Sequence, residues 1–190
     1  MKIAGKMTEA ELEVLKKNIE TRIFSAFASI QKSSDSNSFK DIKKKNKTEI
    51  LPFIPLFSVL GTKQLAFVAK KFKLKKYKKG NVLFDYGDAS EEVYIVKSGE
   101  ILLYRDVDGI NMIEYAMSFP GDVIGEMGVI SGSPRSLSAG VYSETAEVYA
   151  ISKDDFLFIL KKYPDLSVNL SKILSHRIEE INRRLLDYIS

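Results

Sequence analysis

The sequence predicts a mainly-β fold with flanking helices, an antiparallel sandwich or barrel set between helical ends. Between Phe72 and Ser152, short runs of β-branched and aromatic residues (VLFDY, EVYIV, EILLYRD, MIEYAMSF, AGVYS, EVYAI) are separated by the turn signals KKGN, YGDAS, KSGE, DVDG, FPGD and SGSP. Their spacing of about 8 to 12 residues belongs to antiparallel strands joined by turns, not to parallel strands with crossover helices. On both sides of this stretch the apolar residues change to a helical period.

At the N-terminal end, Thr8-Glu9-Ala10-Glu11 reads as a capping box, and Leu12, Leu15, Ile19, Ile23, Phe27 and Ile30 recur every three or four positions. That pattern is an amphipathic helix whose stripe must bury against the main domain or a second copy. Gln31 to Glu49 is rich in Ser, Asn and Lys and reads as a linker. The chain therefore divides into residues 1–50 (helix and linker), 51–165 (the β domain) and 166–190 (a C-terminal helix). From Leu51 to Lys70, two short helices are expected, broken by Pro52, Pro55 and Gly61.

The lysine runs KDIKKKNK and KKFKLKKYKK carry most of a formal net charge of +4. A nucleic-acid or acidic-membrane surface is one reading; a solvated linker and a solvent-facing strand is the preferred one. Phe72, Leu74 and Tyr77 interrupt the second run as the buried face of such a strand would. After Pro164, the residues Leu166, Val168, Leu170, Ile173, Leu174, Ile178, Ile181 and Leu185 predict a final helix from about Leu166. Its stripe outruns what one small barrel can cover, which suggests self-association as a homodimer.

Composition excludes several functions. There is no cysteine, hence no disulfide framework or thiolate nucleophile, and the single histidine, His176, leaves a His-rich metal site without ligands. No catalytic residue or cofactor is expected. No apolar run approaches the ~20 residues that cross a bilayer, and charges interrupt the N-terminus, so a cytoplasmic protein with no membrane insertion is expected.

The stretch GEMGVISGSPRS, Gly125 to Ser136, separates a carboxylate from a guanidinium by small and apolar residues only. Arg135 offers a planar fork that fits a phosphate, and Ser136 adds a hydroxyl and an N–H. Gly125 allows close backbone approach, and Glu126 to Ile130 can form one helical turn with free N–H groups. Because a carboxylate repels phosphate, Glu126 must address a neutral hydroxyl beside the anion, as in a ribose next to its phosphate. Alternatively, Glu126 and Arg135 form an ion pair that closes an ordinary loop.

FPGDVIGEMGVISGSPRSLSA, set between strand runs, resembles the phosphate-binding cassette of the cyclic nucleotide-binding domain family. The resemblance extends from about Leu51 to Leu185, through PLFSVL and KKGNVLFDYGDASEEVYIVKSGEILLY, with Gly80, Gly87, Gly99 and Gly121 at turn positions. It implies an antiparallel β-roll, a jelly-roll-like double-stranded barrel, with N-terminal helices and a long C-terminal helix. It further implies that Arg135 and Ser136 bind a cyclic phosphate, and that Glu126 accepts from the ribose 2′-hydroxyl with Gly125 and Met127 assisting. Base contacts fall on Asn182 and Ile181 of the last helix.

The ligand so implied is a cyclic nucleotide. Ser136 divides the vote on the base: threonine there accompanies cGMP in the family and alanine cAMP. The reading leans to cAMP, with cGMP the alternative. The implied role is a non-enzymatic receptor that moves its C-terminal helix and regulates a protein effector, with nucleic acid not a partner of this chain. Two competing readings are the sensor half of a transcription regulator and a nucleotide-free interaction scaffold.

Overall fold

The computed structural model describes residues 47–106 and 112–189 of the chain. The helix predicted from Leu12 to Ile30, and the linker up to residue 46, lie outside them. The described residues begin with α1 (Lys47–Ile50), two 3-10 turns (Leu51–Phe53 and Pro55–Phe57) and α2 (Thr62–Ala69). Eight strands follow: β1 (Lys73–Lys78), β2 (Val82–Phe84), β3 (Glu92–Ser98), β4 (Ile101–Asp106), β5 (Met112–Ser118), β6 (Val123–Ile124), β7 (Ser138–Val141) and β8 (Thr145–Ser152). Helix α3 (Glu126–Ser131) is set between β6 and β7, and α4 (Lys153–Lys162) and α5 (Pro164–Ile189) close the fold.

The strands form two antiparallel four-stranded sheets, ordered β1-β8-β3-β6 and β2-β7-β4-β5, facing each other as a β-roll. The central strands of the first sheet, β3 and β8, are buried on both faces. Along β3, Tyr94 and Val96 join a core between the sheets with Phe84, Ile101, Val141 and Val148. Val93 and Ile95 point the other way, into a second core with Leu56, Phe57, Phe72, Phe156, Ile159 and Leu166. Alternate side chains leave a strand on opposite faces, so a strand covered on both sides reads as an unbroken apolar run, as EVYIV does.

The helices start where side chains can satisfy their free N–H groups. Gln64 Oε1 accepts from the Gly61 N–H at 2.8 Å ahead of α2, and Ser152 Oγ accepts from the Asp155 N–H at 3.2 Å ahead of α4. Pro164 opens α5, where its missing N–H costs nothing. That helix is anchored by Leu166 and Leu170 in the core and by Asn169, whose Nδ2 donates to the carbonyls of Pro55 at 2.6 Å and Leu56 at 3.0 Å.

Three expectations need correction. The stretch from Leu51 to Lys70 holds one α-helix, not two: α2 follows Gly61, whereas Pro52 and Pro55 fall in 3-10 turns, and the short α1 precedes them at the end of the stretch read as linker. On β1, Leu74 is 40% exposed. Phe72 is buried ahead of the strand among the helices, and the inward side of this edge strand carries Lys75 and Tyr77 instead. Finally β6, a two-residue strand, was hidden in a stretch that reads as turn and loop.

Four of the seven lysines in the second run are ion-paired among the described residues. Lys71 pairs with Asp155, Lys75 with Glu92, Lys76 with Glu147 and Lys79 with Glu144, all within 3.0 Å. Lysine on an edge strand also discourages pairing with another chain. No helix among the described residues is long and apolar enough to cross a membrane.

Two outcomes follow from this packing. Hydrogen bonds from Lys97 and Lys76 hold the Glu147 carboxyl below its ordinary 4.5, so its stabilisation is complete above that value and lost as pH falls through the depressed folded value. Chemical denaturation at stepped pH should show stability falling in acid, and Glu147→Gln should flatten that fall. Leu166→Ala removes a fully buried anchor of α5 and should cost about 2 to 5 kcal/mol in urea unfolding.

Candidate functional site

The loop from Gly125 to Ser138 is built on backbone constraints. Gly125 has φ 78°, a left-handed conformation that turns the chain from β6 directly into α3. A Cβ at Gly125 would lie 2.5 Å from Arg135 Nη1, so position and conformation both demand glycine. At the far end, the Arg135 N–H donates to the Asp88 carbonyl at 2.8 Å, and the Arg135 carbonyl accepts from Gly87 N–H at 2.9 Å. The Tyr86 N–H donates to Ser138 Oγ at 2.9 Å. The arginine is thereby stitched to the turn that follows β2.

Among the described residues, main-chain carbonyls rather than a carboxylate hold its side chain. Nη1 donates to the Gly125 carbonyl at 2.7 Å and Nη2 to the Glu92 carbonyl at 2.6 Å. The guanidinium carbon lies 4.1 Å over the Phe84 ring and 6.0 Å from that of Tyr94. Arg135 is 4% exposed, and its Nε is buried with no partner among the described residues. Burial draws the guanidinium pKa down, opposed by the nearby Tyr94, Glu92, Asp88 and Glu126. An arginine starts so high that it stays charged at neutral pH.

Glu126, also buried, opens α3. Glu92 is turned away from the arginine and satisfied elsewhere: Lys75 Nζ donates to its Oε2 at 2.6 Å and Tyr94 OH to the same oxygen at 2.7 Å. Burial pushes the Glu92 carboxyl up, but these hydrogen bonds and the Lys75 and Arg135 charges outweigh it and leave it below the ordinary value. Burial and the Glu92 hydrogen bond drive the Tyr94 hydroxyl far upward, so it remains a proton donor. Ser90 is buried against Gly128 of α3, and its Oγ has no partner among the described residues.

The structure thus brings Gly125, Glu126 and Arg135 together at one loop. Met127, the second residue of α3, is 60% exposed. Ser136 is exposed beside the arginine. Asn182 is exposed on α5, twelve residues past the anchored Leu170, or about 18 Å at 1.5 Å per residue. No contact recorded among the described residues joins it to the loop; the side chain of Ile181 lies outside them. His176 is a surface residue, 3.4 Å from Glu179 one turn on.

Sequence reasoning missed Phe84 and Tyr94, the rings beneath the guanidinium, and Glu92, whose carbonyl holds it. Each sits in a run that signals only a strand. Gly128 carried a faint signal, since a glycine inside a predicted helical turn needs a packing reason.

Comparison with known proteins places this geometry. Residues 74–163 match the family model described as cyclic nucleotide-binding domain. The chain is 30% identical over 131 residues to the cyclic AMP receptor protein of Thermus thermophilus, covering 69% of this chain and 60% of that protein. The crystal structure of Thermus thermophilus catabolite activator protein superposes with a TM-score of 0.62 at 29% identity, over 69% of this chain and 61% of the other. The regulatory domain of Toxoplasma gondii PKA, solved with cAMP, gives a TM-score of 0.54 at 27% identity, over 67% and 46%. The chain thus spans about three fifths of the curated relative's length. The β-roll, the glycine-hinged loop between β6 and β7 and the matching segment agree: residues 74–163 belong to the cyclic nucleotide-binding domain family.

Proposed function

We propose that the chain is a non-enzymatic receptor for a 3′,5′-cyclic nucleotide, cAMP in preference to cGMP, in which Arg135 holds the cyclic phosphate and Glu126 the ribose. The observation that carries this reading is a buried guanidinium with no carboxylate hydrogen-bonded to it among the described residues. A guanidinium has five N–H donors. Two are given to main-chain carbonyls, which leaves the others for phosphate oxygens. Ser136 and the loop backbone at Gly125 and Met127 assist. Glu126, in the first turn of α3, serves as acceptor for the 2′-hydroxyl that a cyclic phosphate leaves free.

The preference for cAMP draws on the similarity to a cyclic AMP receptor protein and to a regulatory domain solved with cAMP. Binding would draw α3 inward and bring α5, with Asn182 and Ile181, over the base. Exposed Val168 and Ile178 on α5 suit a second copy or an effector protein. The response would be a shift between two arrangements of α5, set by the ligand's differential affinity for them.

One observation favours a second reading. Because Arg135 already has carbonyl partners, the loop is stable as it stands and could serve as a nucleotide-free interaction surface.

Calorimetric titration with cAMP and cGMP separates the two. The receptor reading expects saturable heat with both and tighter cAMP binding; absence of heat with either would leave the scaffold. Each charge-assisted hydrogen bond to phosphate is worth about 1.5 to 3 kcal/mol, or roughly one to two decades of affinity. Arg135→Ala should therefore weaken binding by at least about tenfold, with retained cooperative unfolding as the folding control.

A further inference from the structure

Helix α4 carries an apolar surplus on its outer face. Phe156, Ile159 and Leu160 commit one side of it to the core, whereas Asp154, Phe158 and Lys162, spaced four residues apart, are exposed on the other. Phe158, at 47% exposure, is not isolated. Its ring lies 6.4 Å from that of Phe67 on α2, which in turn lies 6.3 Å from Tyr163 at the end of α4. Three rings thus form one patch on the helical layer.

The charges around this patch are ordered. Lys71 Nζ lies 5.5 Å from the centre of the Phe158 ring but is already paired with Asp155 at 2.7 Å. Lys162 Nζ stands 5.3, 5.8 and 5.9 Å from the ring centres of Phe67, Phe158 and Tyr163. Neither Lys162 nor Asp154 takes part in an ion pair among the described residues. An acid at the start of a helix and a lysine at its end both answer the helix dipole. The dipole gives no reason for an exposed phenylalanine midway between them.

Asp154 and Lys162 are each four residues from Phe158, about 6 Å along the axis at 1.5 Å per residue. Turning α4 end over end about an axis through Phe158 therefore exchanges the acid with the lysine. The face is complementary to itself.

We propose that this face of α4 is a two-fold contact between copies of this chain. The two helices run antiparallel, Phe158 packs on its counterpart at the axis, and Asp154 of each copy pairs with Lys162 of the other. A self-complementary patch of this kind closes at two copies and does not propagate. Phe67 and Tyr163 widen the apolar centre, and the ring contacts hold the Lys162 stem in place beforehand, which lowers the entropy lost on pairing. Two short helices present a small area, so the association is weak and reversible. It uses no residue of the nucleotide loop or of α5, and so stands or falls independently of the receptor reading.

Sedimentation velocity of the full chain, from micromolar to millimolar concentration, tests this contact. The wild type should pass from monomer to dimer, with a dissociation constant that rises with salt because the rim charges are exposed. Asp154→Lys and Lys162→Asp should each raise that constant at least about tenfold, since each sets two pairs of like charges face to face. Mixing these two variants in equal amounts should restore a dimer, because the lysines of one then meet the acids of the other. Phe158→Ser should weaken the dimer by about tenfold or more. Circular dichroism melting checks that each variant is folded. A wild type that stays monomeric, a mixture that forms no dimer, or a dimer that survives the α4 variants and is lost with Ile178→Ser on α5 would overturn the assignment.

Discussion

The fold depends on β3 being buried on both faces. Val93 and Ile95 are committed to the helical layer and Tyr94 and Val96 to the space between the sheets. A one-residue slip of this strand would exchange the two sets and place Tyr94, with its hydroxyl, among the helices. Its register is therefore fixed by both cores at once, through its pairing with β8 on one edge and β6 on the other. Glu92, the first residue of this strand, inherits that rigidity. Its carbonyl is where Arg135 Nη2 is held, so the site is referenced to a strand whose register both cores fix.

That reference solves an electrostatic problem. A buried guanidinium is costly unless its donors are met and its charge is accommodated. A hydrogen-bonded carboxylate would do both, but it would cancel the charge that an anionic ligand needs. Main-chain carbonyls and aromatic faces stabilise the cation while leaving its charge in place. Glu92 shows the separation directly: its carbonyl serves the arginine, whereas its carboxylate is occupied by Lys75 and Tyr94. Lys75, one of a run of lysines that reads as surface, thereby helps keep the loop's cation unpaired.

How much of this was legible follows the length of each signal. Strands of five or more residues with clear turns between them were readable, because burial on one or two faces leaves a periodic trace. Residues 123–124 were not, since a two-residue strand has no period. Leu74 misled because its run was read as one buried face. At the sheet edge, Lys75 can lay its stem inward over the Tyr94 ring with its amine on Glu92, so the lysine and not the leucine takes the inward side. Gly125, Glu126 and Arg135 were legible as a motif because glycine and arginine have few substitutes in those roles. Phe84 and Tyr94 were not, because an aromatic residue in a strand signals core first, and only the structure shows a guanidinium on its face.

The link between the loop and α5 is also physical. Val129 of α3 belongs to the same core cluster as Leu166 and Leu170 of α5, with Phe156 and Ile159 of α4 in that cluster too. A close-packed cluster does not stretch; if α3 moves, its neighbours must repack or follow. The residue between α4 and α5, Tyr163, is non-helical, so the pivot for such repacking lies in the chain itself. Beyond Leu170 the described side chains of α5 are no longer fully buried, and Ile178 is 58% exposed. The inner part of that helix is thus tied to the core that α3 touches. In the proposed receptor, a small displacement at the loop would become a larger one at the far end of a rigid helix, which is the lever that reading requires.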